Sequence, residues 1–295
     1  MSNCSDEVLS ATATFIVAAY NTVFCVFSVG GNTIVLLAIF KYSSLRTTSN
    51  MFIASLALAD WIVGALANPF YVSLSLMKSI RDIREIKNTE TFVWLLTVAA
   101  TQYNLCAVSI DRFIAVSKPM HYRQVVTVPR CLVVIALTWF FAALLGSSAF
   151  LVPYDQISGV WIAGSVITGF IPAVVISFCY SQIVIAAKTQ TNKINEAQPR
   201  NSQQQTIEET RNRLKNRKAA WTFGIVIVLF VVLYLPSLVT NFITLGASTQ
   251  CDFFDINRLW FWTSMICYSS SAINPWVYAI RMREFRTSVK RLLTC

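Results

Sequence analysis

The sequence predicts an all-α membrane protein built as a bundle of seven transmembrane helices. Seven stretches are apolar enough to cross a bilayer, and each reaches the ~20 residues that a helix needs to span ~30 Å of hydrocarbon. The stretches are 8–40, 47–77, 91–110, 131–154, 156–187, 219–251 and 259–280. Asp60 is the one charged residue inside any of them. A carboxylate at that depth is costly, so it marks a functional site.

The charge distribution predicts how the bundle is oriented. With the N-terminus outside, the inner segments hold 19 basic and five acidic residues, and the outer segments hold five basic and eight acidic ones. This is the positive-inside asymmetry of membrane proteins. The net charge of +10 therefore reflects topology and contact with anionic lipids in the bilayer, not a nucleic-acid partner. The predicted division is an extracellular tail at 1–11, a seven-transmembrane domain at 12–280 and a cytoplasmic segment at 281–295.

The two ends of the chain carry candidate modification sites. Asn3 begins an N-glycosylation sequon, which is either occupied or a chance match. Cys4 and Cys251 are the cysteines on the outer side, where disulfides persist, so they either form a bridge or remain separate. The basic and apolar residues of 281–295 alternate as in an interfacial amphipathic eighth helix, and its Cys295 is a candidate palmitoylation site.

Each predicted helix also contributes to an ordered set of motifs. The set consists of Gly31-Asn32, Ser55 to Asp60, Asp111-Arg112-Phe113, Trp139, Pro172 with Tyr180, Phe230 with Pro236, and Asn274-Pro275 with Tyr278. Together these motifs resemble the rhodopsin family (class A) of G-protein-coupled receptors across the whole chain. The resemblance implies a plasma-membrane receptor that transduces an extracellular ligand to a heterotrimeric G protein. No hydrolytic or transfer constellation accompanies the sole histidine, His121, so no enzymatic activity is expected.

The resemblance implies roles for the residues at the inner end. Asp111 would hold Arg112 in the resting state, and activation would free Arg112 to meet the G protein, with Tyr180 and Tyr278 moving towards it. Breaks in the helices at prolines would allow the inner ends to swing. The remaining residues expected to serve activation are Phe230, Pro236, Asn274 and Pro275. Many relatives carry an acid that locks the arginine at the place of Asn216, so elevated basal activity is expected here.

The resemblance also implies a polar site around Asp60. Its expected neighbours are Asn32, Thr101, Ser271 and Asn274, all with oxygen-bearing side chains. Such ligands suit a hard cation, and the family binds sodium here. The alternative is a protonated Asp60 held in a polar network with Asn274. Apart from a sodium ion, no cofactor is expected.

Three positions exclude familiar ligand chemistries of the family. Trp94 stands where amine receptors carry an aspartate that pairs with the ligand ammonium. Tyr268 stands where retinal-binding members carry the Schiff-base lysine. Lys87 stands where most members carry a cysteine bridged to the second outer loop. The chain therefore resembles an orphan-like member of the family, and neither an ordinary amine receptor nor an opsin.

The expected ligand pocket is mostly aromatic and apolar. Its predicted residues are Trp94, Val98, Trp161, Thr168, Tyr234, Leu238, Asn241, Ser264 and Tyr268. No fixed charge is expected among them, which favours a neutral or amphipathic small ligand. The charged outer stretch 78–90 leaves a peptide ligand as an alternative.

Three other functions compete with a signalling receptor. A transporter or channel would need several intramembrane charges along a path or inverted repeats, and neither is visible. A light-driven pump would need a lysine in the seventh helix. A receptor-shaped partner protein that no longer signals remains an alternative, although intact Asp111-Arg112 and Asn274-Pro275 argue against it.

Overall fold

The fold is an all-helical bundle, as the sequence predicts. The computed structural model describes residues 8–81, 83–153, 157–196, 224–225, 227–229, 231–247 and 249–294. That part of the chain contains no β-strand. We number its main helices α1 Ala11–Lys41, α2 Thr48–Leu76, α3 Arg84–Ser117, α4 Val128–Leu151, α5 157–196, α6 Ile227–Ile243, α7 Gln250–Arg281 and α8 Arg283–Leu293. A single helical turn, Tyr122–Val125, lies in the second inner loop.

The lengths and hydropathy of the helices agree with a membrane-spanning bundle. Five helices in the described residues, α1 to α5, are each long and apolar enough to cross a bilayer. α6 is shorter and apolar, and α7 has 32 residues. The third helix extends beyond its predicted bounds at both ends, because it begins at Arg84 instead of residue 91 and ends at Ser117 instead of residue 110. Its charged outer end continues the helix beyond the apolar run.

The outward surface of the bundle is apolar and its interior contains polar side chains. Phe15 is 73% exposed, Phe140 is 60% exposed, and most of the apolar stretch of α4 lies on the outside of the bundle. Asp60, Asn32 and Asn104 are fully buried. Such an arrangement suits lipid as the surrounding solvent, because the apolar face meets hydrocarbon while polar groups find partners inside.

Two helices contain wide π-helical turns next to prolines. α2 has such a turn at Val63–Ala67 and α5 has one at Val166–Phe170. In both helices a proline, Pro69 or Pro172, follows two residues after the turn. A proline ring clashes with the carbonyl four residues earlier in a regular α-helix, and a wide turn relieves that clash. The predicted break at Pro172 therefore takes the form of a π-turn inside a continuous helix.

The eighth helix lies directly after the bundle. A single residue, Met282, separates it from the end of α7. Phe285 is fully buried, and its ring centroid lies 6.1 Å from that of Tyr278 in α7. Arg286 and Lys290 are exposed on the other side. The predicted amphipathic helix is thus attached to α7 through an aromatic contact.

Some predicted features fall outside the described residues. They are Asn3, Cys4, Asn216, Phe230 and Cys295. The proposed glycosylation, palmitoylation and helix-six roles of these residues stay predictions.

Candidate functional site

An aromatic cluster occupies the outer end of the bundle. It consists of Tyr71 from α2, Trp94 from α3, Trp161 from α5, and Trp260 and Tyr268 from α7, and we call it the outer aromatic cluster. Trp260 is its centre, because the centroid of its ring lies 4.5 Å from that of Trp94 and 4.9 Å from that of Trp161. The Tyr268 ring lies 5.2 Å from Trp94 and 5.4 Å from Tyr71, edge to face. The structure therefore brings three predicted pocket residues together, and adds Tyr71 and Trp260.

The outer aromatic cluster also holds a carboxylate, which corrects one expectation. Tyr71 Oη and Trp260 Nε1 both donate to Glu90 Oε1, each at 3.0 Å. The prediction of a pocket without a fixed charge is wrong, because the apolar run of the third helix starts at residue 91 and leaves Glu90 in the charged outer stretch 78–90. Since α3 already begins at Arg84, Glu90 lies one helical turn above Trp94 and on the same face.

Neutral polar groups link α5 and α6 deeper in the predicted pocket. Asn241 Nδ2 donates to Ser165 Oγ at 3.0 Å. The hydroxyls of Thr168 and Tyr234 lie 3.5 Å apart. Since Trp161 precedes Ser165 by four residues, it lies one turn outward on the same face of α5. This face thus joins the polar groups to the outer aromatic cluster.

The remaining predicted pocket residues pack in the interior. Val98 is 4% exposed, and Leu238 lies against Gly169, where an added β-carbon would come within 3.4 Å of Leu238 Cδ1. Ser264 Oγ donates to the Trp260 carbonyl at 2.6 Å, so this hydroxyl is engaged within α7. Ser264 therefore stabilises the turn of α7 that begins at Trp260.

Asp60 lies in a polar site between α1, α2 and α7. It is fully buried, and Asn274 Nδ2 donates to Asp60 Oδ2 at 2.7 Å. Asn32 Nδ2 donates to the Ser271 carbonyl at 3.0 Å, and the Ser271 side chain lies next to Asp60. Within the described part of the chain, Asp60 Oδ1 and Asn32 Oδ1 have no hydrogen-bond donor. The predicted neighbour Thr101 is buried, at 2% exposure.

Asp111 and Arg112 form an ion pair at the inner end of α3. Arg112 Nε donates to Asp111 Oδ2 at 2.9 Å, and both residues are buried. Asp111 also accepts from Ser49 Oγ at 2.6 Å and from Tyr122 Oη at 2.7 Å. Burial and the charge of Asp111 raise the pKa of Tyr122, so this phenol keeps its proton at neutral pH. The second inner loop and α2 thus both fix the carboxylate, which the motif alone did not predict.

The other predicted activation residues lie near this inner end or along α7. The Tyr180 ring of α5 packs against Gly224, where an added β-carbon would lie 3.0 Å from Tyr180 Cε1. Tyr278 is fully buried. Pro275 packs on α1 at Gly31, where a β-carbon would lie 3.0 Å from its Cγ. Pro236 lies within α6, and its carbonyl accepts from the Thr240 hydroxyl at 3.0 Å.

Cys251, at the outer end of α7, is disulfide-bonded. The five other described cysteines, all in membrane helices, are free. The predicted partner Cys4 lies outside the described residues. The nearby N-terminal tail packs against α7, because Leu9 is 1% exposed and Arg258 Nε donates to the Val8 carbonyl at 3.2 Å.

The fold and the arrangement of these sites define a class of membrane receptor. The sequence matches the 7 transmembrane receptor (rhodopsin family) over residues 31–278. Because this match covers most of the chain, the chain belongs to that family. It is a multi-pass plasma-membrane receptor that couples an extracellular ligand to a G protein, and it is not an enzyme.

Particular relatives are similar along almost the full chain. Trace amine-associated receptor 9 of Rattus norvegicus is 30% identical over 294 residues, covering 90% of this chain and 83% of that receptor. Trace amine-associated receptor 6 of Homo sapiens is 26% identical over 305 residues, covering 95% of this chain and 85% of that receptor. The similarity therefore extends over both the outer and the inner ends of the bundle.

Proposed function

We propose that the receptor binds a small amphipathic ligand at the outer aromatic cluster and passes the signal to a heterotrimeric G protein through Arg112. The N-terminus then lies outside the cell and the C-terminus inside. The observation that carries this proposal is the placement of two sites at opposite ends of α3. The outer end holds Trp94 in an aromatic cluster, and the inner end holds the buried Asp111–Arg112 pair.

The chemistry of the pocket favours a ligand with an apolar body and a polar end. Aromatic rings supply most of the contact surface, while Ser165 with Asn241 and Thr168 with Tyr234 offer neutral hydrogen-bonding groups. The names of the relatives associate them with trace amines. Trp94 replaces the aspartate that amine receptors use, so the mode of binding differs from theirs.

The test is agonist-free signalling in a panel of G-protein biosensors in cells. Wild type should show a basal signal, and Arg112→Ala should lose it at matched surface expression. Arg130→Ala is the matched control, because Arg130 is an exposed inner arginine that donates to loop carbonyls. A basal signal that survives in Arg112→Ala would contradict the proposed coupling route. If wild type shows no basal signal, the elevated basal activity predicted from Asn216 is wrong.

We also propose that Asp60 binds a sodium ion. A buried carboxylate without a basic partner needs a proton or a cation. Asp60 Oδ1 and Asn32 Oδ1 are two oxygen acceptors without donors in the described part of the chain, and oxygen ligands suit a hard cation. Ser271, Asn274 and Thr101 would complete the surroundings of the ion.

A disulfide between Cys4 and Cys251 is proposed for the outer side. Cys251 is disulfide-bonded, and the buried Leu9 with the Arg258–Val8 hydrogen bond keeps the tail beside the outer end of α7. Peptide mapping of the unreduced protein by mass spectrometry tests the pairing. A peptide that links Cys251 to any cysteine other than Cys4 would contradict it.

A further inference from the structure

Glu90 faces the interior of the bundle instead of the solvent above it. It stands four residues before Trp94 in α3, so both side chains lie on one face of the helix. Its Oε1 accepts from Tyr71 in α2 and Trp260 in α7, and Trp260 Nε1 also lies 2.9 Å from Tyr71 Oη. Donors from two neighbouring helices therefore fix the direction in which this carboxylate points.

One oxygen of the carboxylate is left for another partner. Both donors converge on Oε1, and Oε2 accepts no hydrogen bond among the residues that the structure describes. Glu90 also forms no ion pair with another described residue. Two basic residues interact with it electrostatically, Lys87 and Arg81. Arg81 donates to the carbonyls of α2 and places its guanidinium 5.0 Å from the centroid of the Phe261 ring.

Glu90 lies beside a group of three tryptophan rings that pack against one another. The ring centroids of Trp94, Trp161 and Trp260 lie 4.5 to 6.5 Å apart, so these rings contact one another. Trp94 is buried, whereas Trp161, Trp260 and Glu90 remain partly exposed. Aromatic faces attract organic cations, and the attraction is strongest for tryptophan and for desolvated sites.

We propose that Glu90 and the outer aromatic cluster bind the ammonium group of an organic amine. The ammonium would lie between Glu90 Oε2 and the tryptophan faces, and the apolar body would extend along Trp161 towards α5. This site is one helical turn outward from the position of Trp94, where amine receptors of the family carry their aspartate. The proposal rests on the receptor function proposed above and names its ligand class.

The competing role for Glu90 is purely structural, as an acceptor that links α2, α3 and α7. The variant Glu90→Gln separates the two roles, because a glutamine retains an acceptor oxygen for Tyr71 and Trp260 but has no charge. Glu85→Gln is the matched control, because Glu85 is an exposed carboxylate on the same helix. Trp161→Leu is a second test variant, which removes one aromatic face and leaves the Glu90 hydrogen bonds intact.

The experiment measures thermal stabilisation of the purified full-length receptor in detergent, without a G protein. The probes are 2-phenylethylamine, its N-methyl, N,N-dimethyl and N,N,N-trimethyl forms, and the neutral 2-phenylethanol. At least one ammonium probe should stabilise wild type and Glu85→Gln at lower concentration than the alcohol does. Glu90→Gln should bind that probe about 30-fold more weakly or worse, as expected when a partner of a desolvated charge pair is removed. Trp161→Leu should bind the same probe several-fold more weakly than wild type does.

Two outcomes would overturn the proposal. In the first, no ammonium probe stabilises wild type more than the alcohol does. In the second, Glu90→Gln binds the ammonium probe as wild type does, or merely melts lower without a change in probe affinity, as a structural acceptor would. Signalling is read separately from Arg112→Ala in cells. If wild type signals through Arg112 but binds no ammonium probe, the ligand class alone is refuted. If wild type binds an ammonium probe but gives no Arg112-dependent signal, the proposed receptor function is refuted.

Discussion

Replacement of Gly64 by alanine tests how closely α1 and α2 approach each other beside Asp60. Gly64 lies in the π-turn of α2. A β-carbon there would lie 2.8 Å from Ser28 Cβ and 3.0 Å from Val29 Cγ2. Ser28 Cβ is attached directly to the backbone, so no side-chain rotation removes it from the contact. The substitution must therefore push α1 away from α2.

The size of the effect follows from two costs and one gain. Insertion of a methyl group into a packed contact costs about 1–3 kcal/mol. Separation of the helices also strains the hydrogen bond from Ser28 Oγ to the Asp60 carbonyl, 2.8 Å long, and such a bond contributes about 1 kcal/mol. Alanine is a better helix former than glycine by about 1 kcal/mol, which offsets part of this. Gly64→Ala should lower the free energy of unfolding by about 1–3 kcal/mol.

The assay is thermal unfolding of the purified protein in detergent, followed with a thiol-reactive dye. Cys131, Cys179 and Cys267 are buried and free, so they react with the dye when the bundle opens. A loss of 1–3 kcal/mol corresponds to a fall in Tm of roughly 2–10 °C. The control is Gly30→Ala, because a β-carbon at Gly30 meets nothing within 4 Å. If Gly64→Ala and Gly30→Ala have the same Tm, α1 and α2 do not approach each other as closely at Gly64 as the structure shows.

Two further predictions concern Asp60 and Tyr122. Sodium chloride should raise the Tm of wild type above its value in potassium chloride, and Asp60→Asn should remove that difference, because the amide lacks the charge that binds the cation. An equal sodium effect in Asp60→Asn would contradict the assignment. Tyr122→Phe should raise basal G-protein signalling up to ~5-fold, because loss of the hydrogen bond to Asp111 removes about 1 kcal/mol from the resting arrangement. Unchanged signalling at matched surface expression would show that this bond does not hold the resting state.

The helices could be predicted from the sequence because lipid imposes a simple rule on them. A segment that crosses hydrocarbon must be apolar over about 20 residues, and that pattern is visible without knowledge of the packing. The start of α3 could not be predicted in the same way. Residues 84 to 90 lie beyond the apolar run, and their helical structure follows from helix propensity and contacts with α2 and α7. The apolar run begins seven residues after Arg84, and it therefore leaves Glu90 in the charged outer stretch 78–90.

The π-turns illustrate what a local pattern reveals and what it leaves open. Pro69 and Pro172 are visible in the sequence, and each predicts a disturbance of the helix near the preceding turn. The sequence does not show whether the helix kinks, breaks or widens, because that choice depends on how neighbouring helices satisfy the freed carbonyl groups. In α5 the Thr168 hydroxyl donates to the Gly164 carbonyl at 2.7 Å, which provides one such partner.

At the inner end, the motif identified the ion pair but not its surroundings. Asp111 and Arg112 are adjacent in the sequence, so their pairing needs no knowledge of the fold. Ser49 and Tyr122 are 62 and 11 residues from Asp111, and both donate to its carboxylate. No periodicity within a single helix connects such positions. Contacts of this kind follow from the packing of α2, α3 and the loop helix.

The arrangement of α7 offers a physical connection between the two ends of the bundle. Trp260 contacts the Glu90 carboxylate, Asn274 donates to Asp60, and Tyr278 packs on α8. All three belong to one continuous helix, which contains Pro275 between the last two. An ammonium bound at Glu90 Oε2 would weaken the hydrogen bond that Oε1 accepts from Trp260, and a shift of α7 would then change the Asn274–Asp60 contact. α7, which touches the outer site, the polar centre and the inner end, is therefore better suited to carry the signal than α3 alone.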